Sequence, residues 1–114
     1  MSYKVIEDCG VNMSPQEAVH RLDELVTVEM RVQRVKSCTG SRQVFLDSEV
    51  NHRDPNNLGL IVTETGRAKF GAAGIDDPTA HFNGKSIRVR GVVILKENRP
   101  YIAVDDPSQI EMQG

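Results

Sequence analysis

The chain of 114 residues contains no tryptophan, and aromatic residues make up only 4% of it, which leaves few side chains for stacking. It also has no long apolar stretch. The longest apolar runs are Leu58–Val62, which includes a glycine, and Val92–Leu95, whereas a membrane-spanning helix needs about 20 apolar residues. Apolar residues account for 39% and charged residues for 26%, so the composition indicates one small folded domain, and neither a disordered nor a membrane protein.

Targeting and metal-binding signals are also scarce. The sequence does not open with a basic segment followed by an apolar one, as a secretory signal would, so the expected location is the cytoplasm. Its two cysteines, Cys9 and Cys38, form no Cys-x-x-Cys motif and have no histidine at ligand spacing, which argues against a structural zinc site. They could form one disulfide in an oxidising compartment or remain separate thiols in the cytosol.

The charge is small in sum but uneven along the chain. The net charge is −2, which argues against a strongly basic nucleic-acid or membrane binder. Residues 31–99 nevertheless carry 12 basic and 7 acidic groups, whereas residues 1–30 carry 2 basic and 6 acidic groups, and residues 100–114 carry 3 acidic groups only. The basic middle indicates either a mixed solvated surface or a cationic face.

A helix start is encoded shortly after the N-terminus. Ser14 can cap the first amides, Pro15 suits the first helical position, and Glu17 completes a capping box. Apolar residues then recur at helical spacing, at Ala18, Leu22 and Leu25. The sequence predicts a helix over 15–24, preceded by a lead-in over 1–12 that is either a short strand or an extended segment.

The rest of the chain has the two-residue apolar period of β-strands. Five strands are predicted, over 26–36, 43–47, 58–64, 87–95 and 101–104, with a polar loop over 48–57 and a short helix over 67–72. Gly91 interrupts the fourth strand, where a bend or bulge is expected. This order is that of an OB-fold, a five-stranded Greek-key barrel with a helix between strands 3 and 4, so the chain is predicted to be all-β with one domain over 13–112.

Three motifs support this interpretation. Residues 82–93 are similar to a fourth-strand pattern GK-x-hydrophobic-x-V-x-G-x-V, and residues 99–110 to a fifth-strand and exit pattern ending in DPSQI. Residues 13–18 with 26–29 resemble an opening SPEEA…VTVEG, except that Met30 stands where the pattern has glycine. The motifs resemble those of small bacterial OB-fold proteins that are mostly uncharacterised. The resemblance implies a module that binds single-stranded nucleic acid, oligosaccharide or protein.

OB domains hold single strands on aromatic side chains of the second and third strands, aided by a basic groove. Phe45 is the one aromatic residue in that hairpin. Its side chain points to the opposite face of the strand from Val44 and Leu46, so it faces either the binding surface or the core. Three further aromatic residues have other expected places: Phe70 and Phe82 at the barrel ends, and Tyr101 either stacking on a ligand or capping the core edge.

Basic residues cluster on two predicted elements. Arg31, Arg34, Lys36 and Arg42 lie on the first hairpin, and Lys85, Arg88 and Arg90 on the fourth strand. If these faces adjoin, they form a stripe that binds phosphates; the alternative is ion pairing with Glu29, Asp47 or Glu49. The predicted binding surface consists of Arg31, Arg34, Arg42, Phe45, Arg88 and Arg90.

No set of residues indicates catalysis. Asp47, Glu49 and Asp54 lie near one loop, where carboxylates are usually solvated, and no metal or cofactor is expected. The histidines at positions 20, 52 and 81 lack a nucleophile or partner at a recognisable spacing. The sequence therefore predicts a non-catalytic OB-fold module that binds single-stranded DNA or RNA weakly and without strong sequence preference. The alternative is a protein–protein interaction domain that uses the barrel face or an exposed strand edge.

Overall fold

The computed structural model of the protein describes residues 12–38, 40 and 42–113. Within these residues eight strands follow in chain order: β1 Asn12–Met13, β2 Leu25–Arg31, β3 Arg34–Ser37, β4 Val44–Asp47, β5 Gly59–Val62, β6 Ser86–Lys96, β7 Arg99–Val104 and β8 Ile110–Met112. The same residues form helices α1 Pro15–Ala18, α2 Glu64–Ala72 and α3 Pro78–Phe82, and a 3-10 helix Pro107–Gln109. No helix in this part of the chain has the length and apolar character needed to cross a bilayer.

The strands form one sheet in the order β1-β2-β6-β7-β5-β4-β3, with β8 paired to β6. β2 and β3 are separated by only two residues. The amide of Val32 donates to the Lys85 carbonyl (2.9 Å), and that of Gln33 to the Asp47 carbonyl (2.9 Å). The chain thus changes its partner from β6 to β4 at this point, which divides the predicted strand 26–36 into two.

The predicted count of five strands is wrong, because the described residues contain eight. The extra ones arise from this division and from the short strands β1 and β8. The pairing path among the described strands is open, since β1 and β3 at its two ends do not pair with each other. The fold is therefore mostly β with small helices, two of them between β5 and β6 where the predicted OB-fold has its helix. The described strands form an open sheet and not the predicted closed barrel, and the Greek-key connectivity remains a prediction.

The hydrophobic core follows the predicted two-residue alternation. Val26, Val28 and Met30 of β2 are buried, and β6 buries alternate residues in the same way. All four residues of β5 are buried. Phe70 and Phe82, from the helices between β5 and β6, are also buried and meet edge to face with ring centroids 5.7 Å apart. These helices close one side of the core.

The first helix is shorter than predicted. The Ser14 capping box is confirmed, but α1 ends at Ala18 and does not reach position 24. Asp23 adopts a left-handed conformation (φ 68°), and its amide donates to the Val93 carbonyl (2.7 Å). This long-range bond turns the chain into β2, so Leu22, predicted to lie on a buried helix face, is 41% exposed.

The third strand and the following helix also have different limits from those predicted. β5 ends at Val62, and α2 begins at Glu64 because the Thr63 hydroxyl accepts a hydrogen bond from the Gly66 amide (3.1 Å). α3 was not predicted; it is capped by Asp77 and starts with Pro78. Of the predicted lead-in over 1–12, residues 1–11 lie outside the described part of the chain.

Gly91 lies where β6 changes its partner from β2 to β7. A β-carbon at position 91 would lie 2.5 Å from Cγ2 of Ile102. The close approach of β7 therefore explains why glycine interrupts this strand.

The DPSQI motif has a structural role at the exit of β7. The Asp106 carboxylate caps the 3-10 helix by accepting from the Ser108 amide (2.9 Å). The Gln109 side-chain oxygen accepts from the amides of Asp105 (2.8 Å) and Asp106 (3.2 Å), and its nitrogen donates to the carbonyls of Arg90 and Ala103 (both 3.0 Å). One side chain thus connects backbone groups of β6, of β7 and of the turn that follows β7.

Replacing Gln109 with alanine is expected to lower the free energy of unfolding by about 1–3 kcal/mol, because four backbone groups lose their hydrogen-bond partner. Chemical denaturation followed by circular dichroism measures this change. Gln16→Ala, at an exposed position of α1, is the matched control and should change stability by less than about 0.5 kcal/mol. Equal stability of the two variants would contradict this role of Gln109.

Candidate functional site

A groove crosses the outer face of β3, β4, β5 and β7 and reaches the hairpin between β6 and β7. Two rows of paired residues cross these strands: Lys36, Phe45, Ile61 and Ala103 in one, and Arg34, Asp47, Gly59 and Tyr101 in the other. The groove has a volume of about 320 Å³ and is lined by two aromatic and four cationic side chains: Phe45, Tyr101, Arg34, Lys36, Lys96 and Arg99. We call it the aromatic groove.

Phe45 faces outward into this groove. Its neighbours Val44 and Leu46 are fully buried on the opposite face of β4, while Phe45 is half-buried. Its ring meets that of Tyr101 at a centroid distance of 6.1 Å and an interplanar angle of 66°. The Lys96 ammonium lies 5.7 Å from the Phe45 centroid, within the range of a cation–π contact. Of the two orientations considered for Phe45, the structure has the one that allows ligand contact.

Tyr101 lies against the sheet because its neighbour on β5 is a glycine. A β-carbon on Gly59 would overlap the ring carbons Cε1 and Cδ1 of Tyr101. Burial raises the pKa of the Tyr101 phenol above its usual value of 10.0, and the nearby charge of Asp47 acts in the same direction. The ring is therefore neutral at physiological pH, with one side against β5 and the other toward the groove.

Arg34 is held at one end of the groove by a buried carboxylate. Its Nη1 donates to Oδ2 of Asp47 at 2.9 Å, and Asp47 is only 2% exposed while the Arg34 side chain is 33% exposed. This contact is the ion pair considered as the alternative to phosphate binding, although the rest of the guanidinium still lines the groove. No group of three or more His, Cys, Asp or Glu residues in the described ranges is arranged to hold a metal ion.

The six residues of the predicted surface do not come together. Arg34 and Phe45 share the aromatic groove. Arg88 instead forms ion pairs with Glu29 (3.0 Å) and Glu111 (2.9 Å). It precedes Lys96 by eight residues on β6, a separation of up to about 26 Å along an extended strand. The pairing of β2 with β6 does place Arg31, Arg88 and Arg90 on one face of these two strands. A binding surface that joins this face to Arg34 and Phe45 remains a prediction.

The other three predicted arginines lie outside the groove as well. Arg90 is exposed on β6 opposite Thr27, and Arg31 is exposed at the end of β2. Arg42 lines a separate cleft of about 480 Å³ beside α2, where Nη1 of Arg67 approaches its carbonyl at 3.5 Å. A role for these three residues in binding remains a prediction.

Four residues of the groove were not part of the predicted surface: Lys96 and Arg99, which were not considered, Lys36, and Tyr101, for which stacking on a ligand was one of two alternatives. Lys36 could have been included, since it shares the alternation of Arg34 and pairs with Phe45. No local signal indicates Lys96, Arg99 and Tyr101. They lie on the hairpin of β6 and β7, which reaches the groove through the parallel pairing of β5 with β7. Cys38 is a free cysteine that also lines the groove, while Cys9, its predicted alternative disulfide partner, lies outside the described residues.

No family model matches the chain, and no curated protein matches it significantly. Solved structures do match. An aspartyl tRNA synthetase from Entamoeba histolytica superposes with a TM-score of 0.62 and 16% identity, over 92% of this chain and 22% of that one. A putative aspartyl-tRNA synthetase from Leishmania major Friedlin gives 0.63 and 12% identity, over 98% of this chain and 22% of that one.

At such low identity these likenesses concern the fold alone. The chain spans about one fifth of the length of each synthetase chain that it matches. They are consistent with the OB-like strand order. The resemblance of the motifs to small bacterial proteins remains a prediction.

Proposed function

We propose that the protein is a non-catalytic module that binds single-stranded nucleic acid, DNA or RNA, in the aromatic groove. The observation that carries this proposal is the placement of Phe45 and Tyr101 side by side on the outer face of an OB-like sheet, among four cations. Bases stack on aromatic rings and phosphates pair with cations in sites of this kind. The fold is also shared with synthetases whose names specify tRNA, which supports RNA as one ligand.

The charges of the groove indicate modest affinity. Asp47 offsets the charge of Arg34, and Glu97 is a second acid in the lining. The charges that remain to attract phosphates are those of Lys36, Lys96 and Arg99, and the part of the Arg34 guanidinium that does not contact Asp47. With a net charge of −2 for the whole chain, long-range attraction adds little, so binding depends on contacts within the groove.

The test is fluorescence anisotropy of labelled single-stranded DNA and RNA oligomers, titrated with protein at 50 and 200 mM salt. For single strands the logarithm of the affinity falls with that of the salt concentration with a slope of about −0.7 per phosphate contact. Two to four contacts therefore predict a loss of about 7- to 50-fold over this range. Lys36→Met should make the slope shallower by about 0.7, while the control Lys85→Met, at an exposed position outside the groove, should not change it.

A second candidate function is a protein interface on the outer face of β2 and β6. Leu25 and Val92 pair directly across these strands and are 59% and 44% exposed, and Ile94 on the same face is 36% exposed. Adjoining exposed apolar side chains are typical of interaction sites. Absence of strand binding at 50 mM salt, up to about 10⁻⁴ M protein, would overturn the nucleic-acid proposal and favour this one.

A further inference from the structure

The buried polar side chains among the described residues are Asp47, Ser48 and Asn57. Asp47 lines the aromatic groove, and hydrogen bonds connect the other two to it. Asn57 connects them. Its Oδ1 accepts from the Glu49 amide (3.0 Å) and the Ser48 hydroxyl (3.4 Å). Its Nδ2 donates to Oδ1 of Asp47 (3.2 Å) and to the carbonyl of His52 (3.3 Å). Both donors and both acceptor positions of the amide are therefore used.

The two bonds from Nδ2 lead to two different arginines of the groove. Asp47 uses its other oxygen, Oδ2, to accept from Nη1 of Arg34 (2.9 Å). The His52 carbonyl also accepts from Nη1 of Arg99 (3.5 Å). One buried amide nitrogen therefore fixes the acceptors that hold both guanidinium groups.

These arginines occupy separate positions around Tyr101. Arg34 lies on β3, three strands away from Tyr101 along the row that includes Asp47 and Gly59. At ordinary strand spacing this separation is about 14 Å. Arg99 precedes Tyr101 by two residues on β7 and has the same outward direction. A strand with a base on Tyr101 could place different phosphates near each arginine.

We propose that Asn57 is the positioning residue of the groove: it holds Arg34 and Arg99 where the phosphates of a bound single strand contact them, and does not contact the strand itself. This inference rests on the proposed function. Only an amide suits the position. A carboxylate would lie against Asp47, and an apolar side chain would leave the Asp47 and His52 oxygens and the Glu49 amide without this partner.

The sharpest test is Asn57→Asp, because a carboxylate retains the two acceptor positions that serve Glu49 and Ser48 but loses both donors. Asn56→Asp, at the exposed neighbouring position, introduces the same charge and is the matched control. Affinity for a labelled single-stranded oligomer is measured for both variants from 50 to 200 mM salt. We expect Asn57→Asp to bind at least about tenfold more weakly than Asn56→Asp, with a salt slope shallower by about 1.4, the equivalent of two phosphate contacts.

A double-mutant cycle separates positioning from a general loss of stability. The background for this cycle is the double variant Arg34→Met/Arg99→Met, which lacks both side chains that Asn57 is proposed to position. In that background Asn57→Asp should weaken binding no further than Asn56→Asp does. A merely structural role would lower the melting temperature but leave the salt slope of the folded protein unchanged. If Asn57→Asp proves unfolded by circular dichroism, Asn57→Ser, which keeps a hydrogen-bonding group at the buried position, takes its place in the cycle.

Two outcomes would overturn the inference alone. The first is equal affinity and equal slope for Asn57→Asp and Asn56→Asp. The second is a loss on Asn57→Asp that is as large in the Arg34→Met/Arg99→Met background as in the wild type. Failure of the wild-type protein to bind at 50 mM salt would instead overturn the proposed function, and this inference with it.

Discussion

Replacing Gly66 with alanine is expected to lower the free energy of unfolding by about 2–3 kcal/mol, although alanine usually stabilises a helix relative to glycine by about 1 kcal/mol. Gly66 lies in the first turn of α2, where a β-carbon would overlap the carbonyl oxygen of Val104 and lie 3.2 Å from Cα of Asp105. Both are backbone atoms, which cannot rotate away. The same carbonyl accepts the Thr63 amide (3.1 Å), so the corner between β5 and α2 is tied to the end of β7.

Gly71→Ala in the same helix is the matched control. A β-carbon there would meet only Oδ1 of Asp76, at 4.0 Å, so this variant should be unchanged or more stable by up to about 1 kcal/mol. Thermal unfolding measures both variants, and a loss of 2–3 kcal/mol corresponds to a melting temperature lower by about 10 °C or more. A Gly66→Ala protein as stable as the wild type would show that α2 packs less closely on β7 than the structure indicates.

Features set by neighbours in sequence could be predicted. The capping box at Ser14 depends on residues three positions apart, and the alternation along β2 and β6 identifies their buried faces. The turn between β6 and β7 is equally local, since Glu97 and Asn98 both adopt positive φ, as a two-residue hairpin requires. Each of these features depends on residues close together in the sequence, so it can be predicted without knowing which strand or helix packs beside it.

Features set by distant partners could not be predicted. The apolar spacing that predicts a helix over 15–24 is overridden where Asp23 bonds to Val93, 70 positions along the chain. Arg34 and Phe45 were predicted for the candidate site because they lie on one hairpin. Arg88 was predicted because it alternates outward with Arg90 on the fourth strand, but it pairs with Glu29 of β2, one of the alternative partners considered, and with Glu111 of β8.

Tyr101 illustrates both kinds of information. Its position in a strand follows from the local pattern, but its contact with Phe45 depends on the parallel pairing of β5 with β7, and on a glycine some 40 residues earlier. That pairing places the ring where a ligand can stack on it. The contribution of Tyr101 to binding is therefore the most direct measure of whether this long-range arrangement serves the proposed function.

Tyr101→Ala is expected to weaken binding of a single-stranded oligomer by about 10- to 100-fold, because stacking of a base on an aromatic ring contributes about 1–3 kcal/mol. The conservative control is Tyr101→Phe, which keeps the ring over Gly59 and should bind within about threefold of the wild type. Anisotropy titrations at 50 mM salt, on proteins first shown to be folded by circular dichroism, measure both affinities. The salt slope should be unchanged in Tyr101→Ala, since no phosphate contact is removed.

The two variants together distinguish three explanations of how Tyr101 acts. A loss in Tyr101→Ala but not in Tyr101→Phe supports stacking on the ring. Equal losses in both would assign the contribution to the phenol hydroxyl, which is already protonated at neutral pH and whose pKa burial and Asp47 raise further. Wild-type affinity in Tyr101→Ala would contradict binding in the aromatic groove, because Tyr101 and Phe45 are the two aromatic side chains that line it and the proposal depends on stacking there.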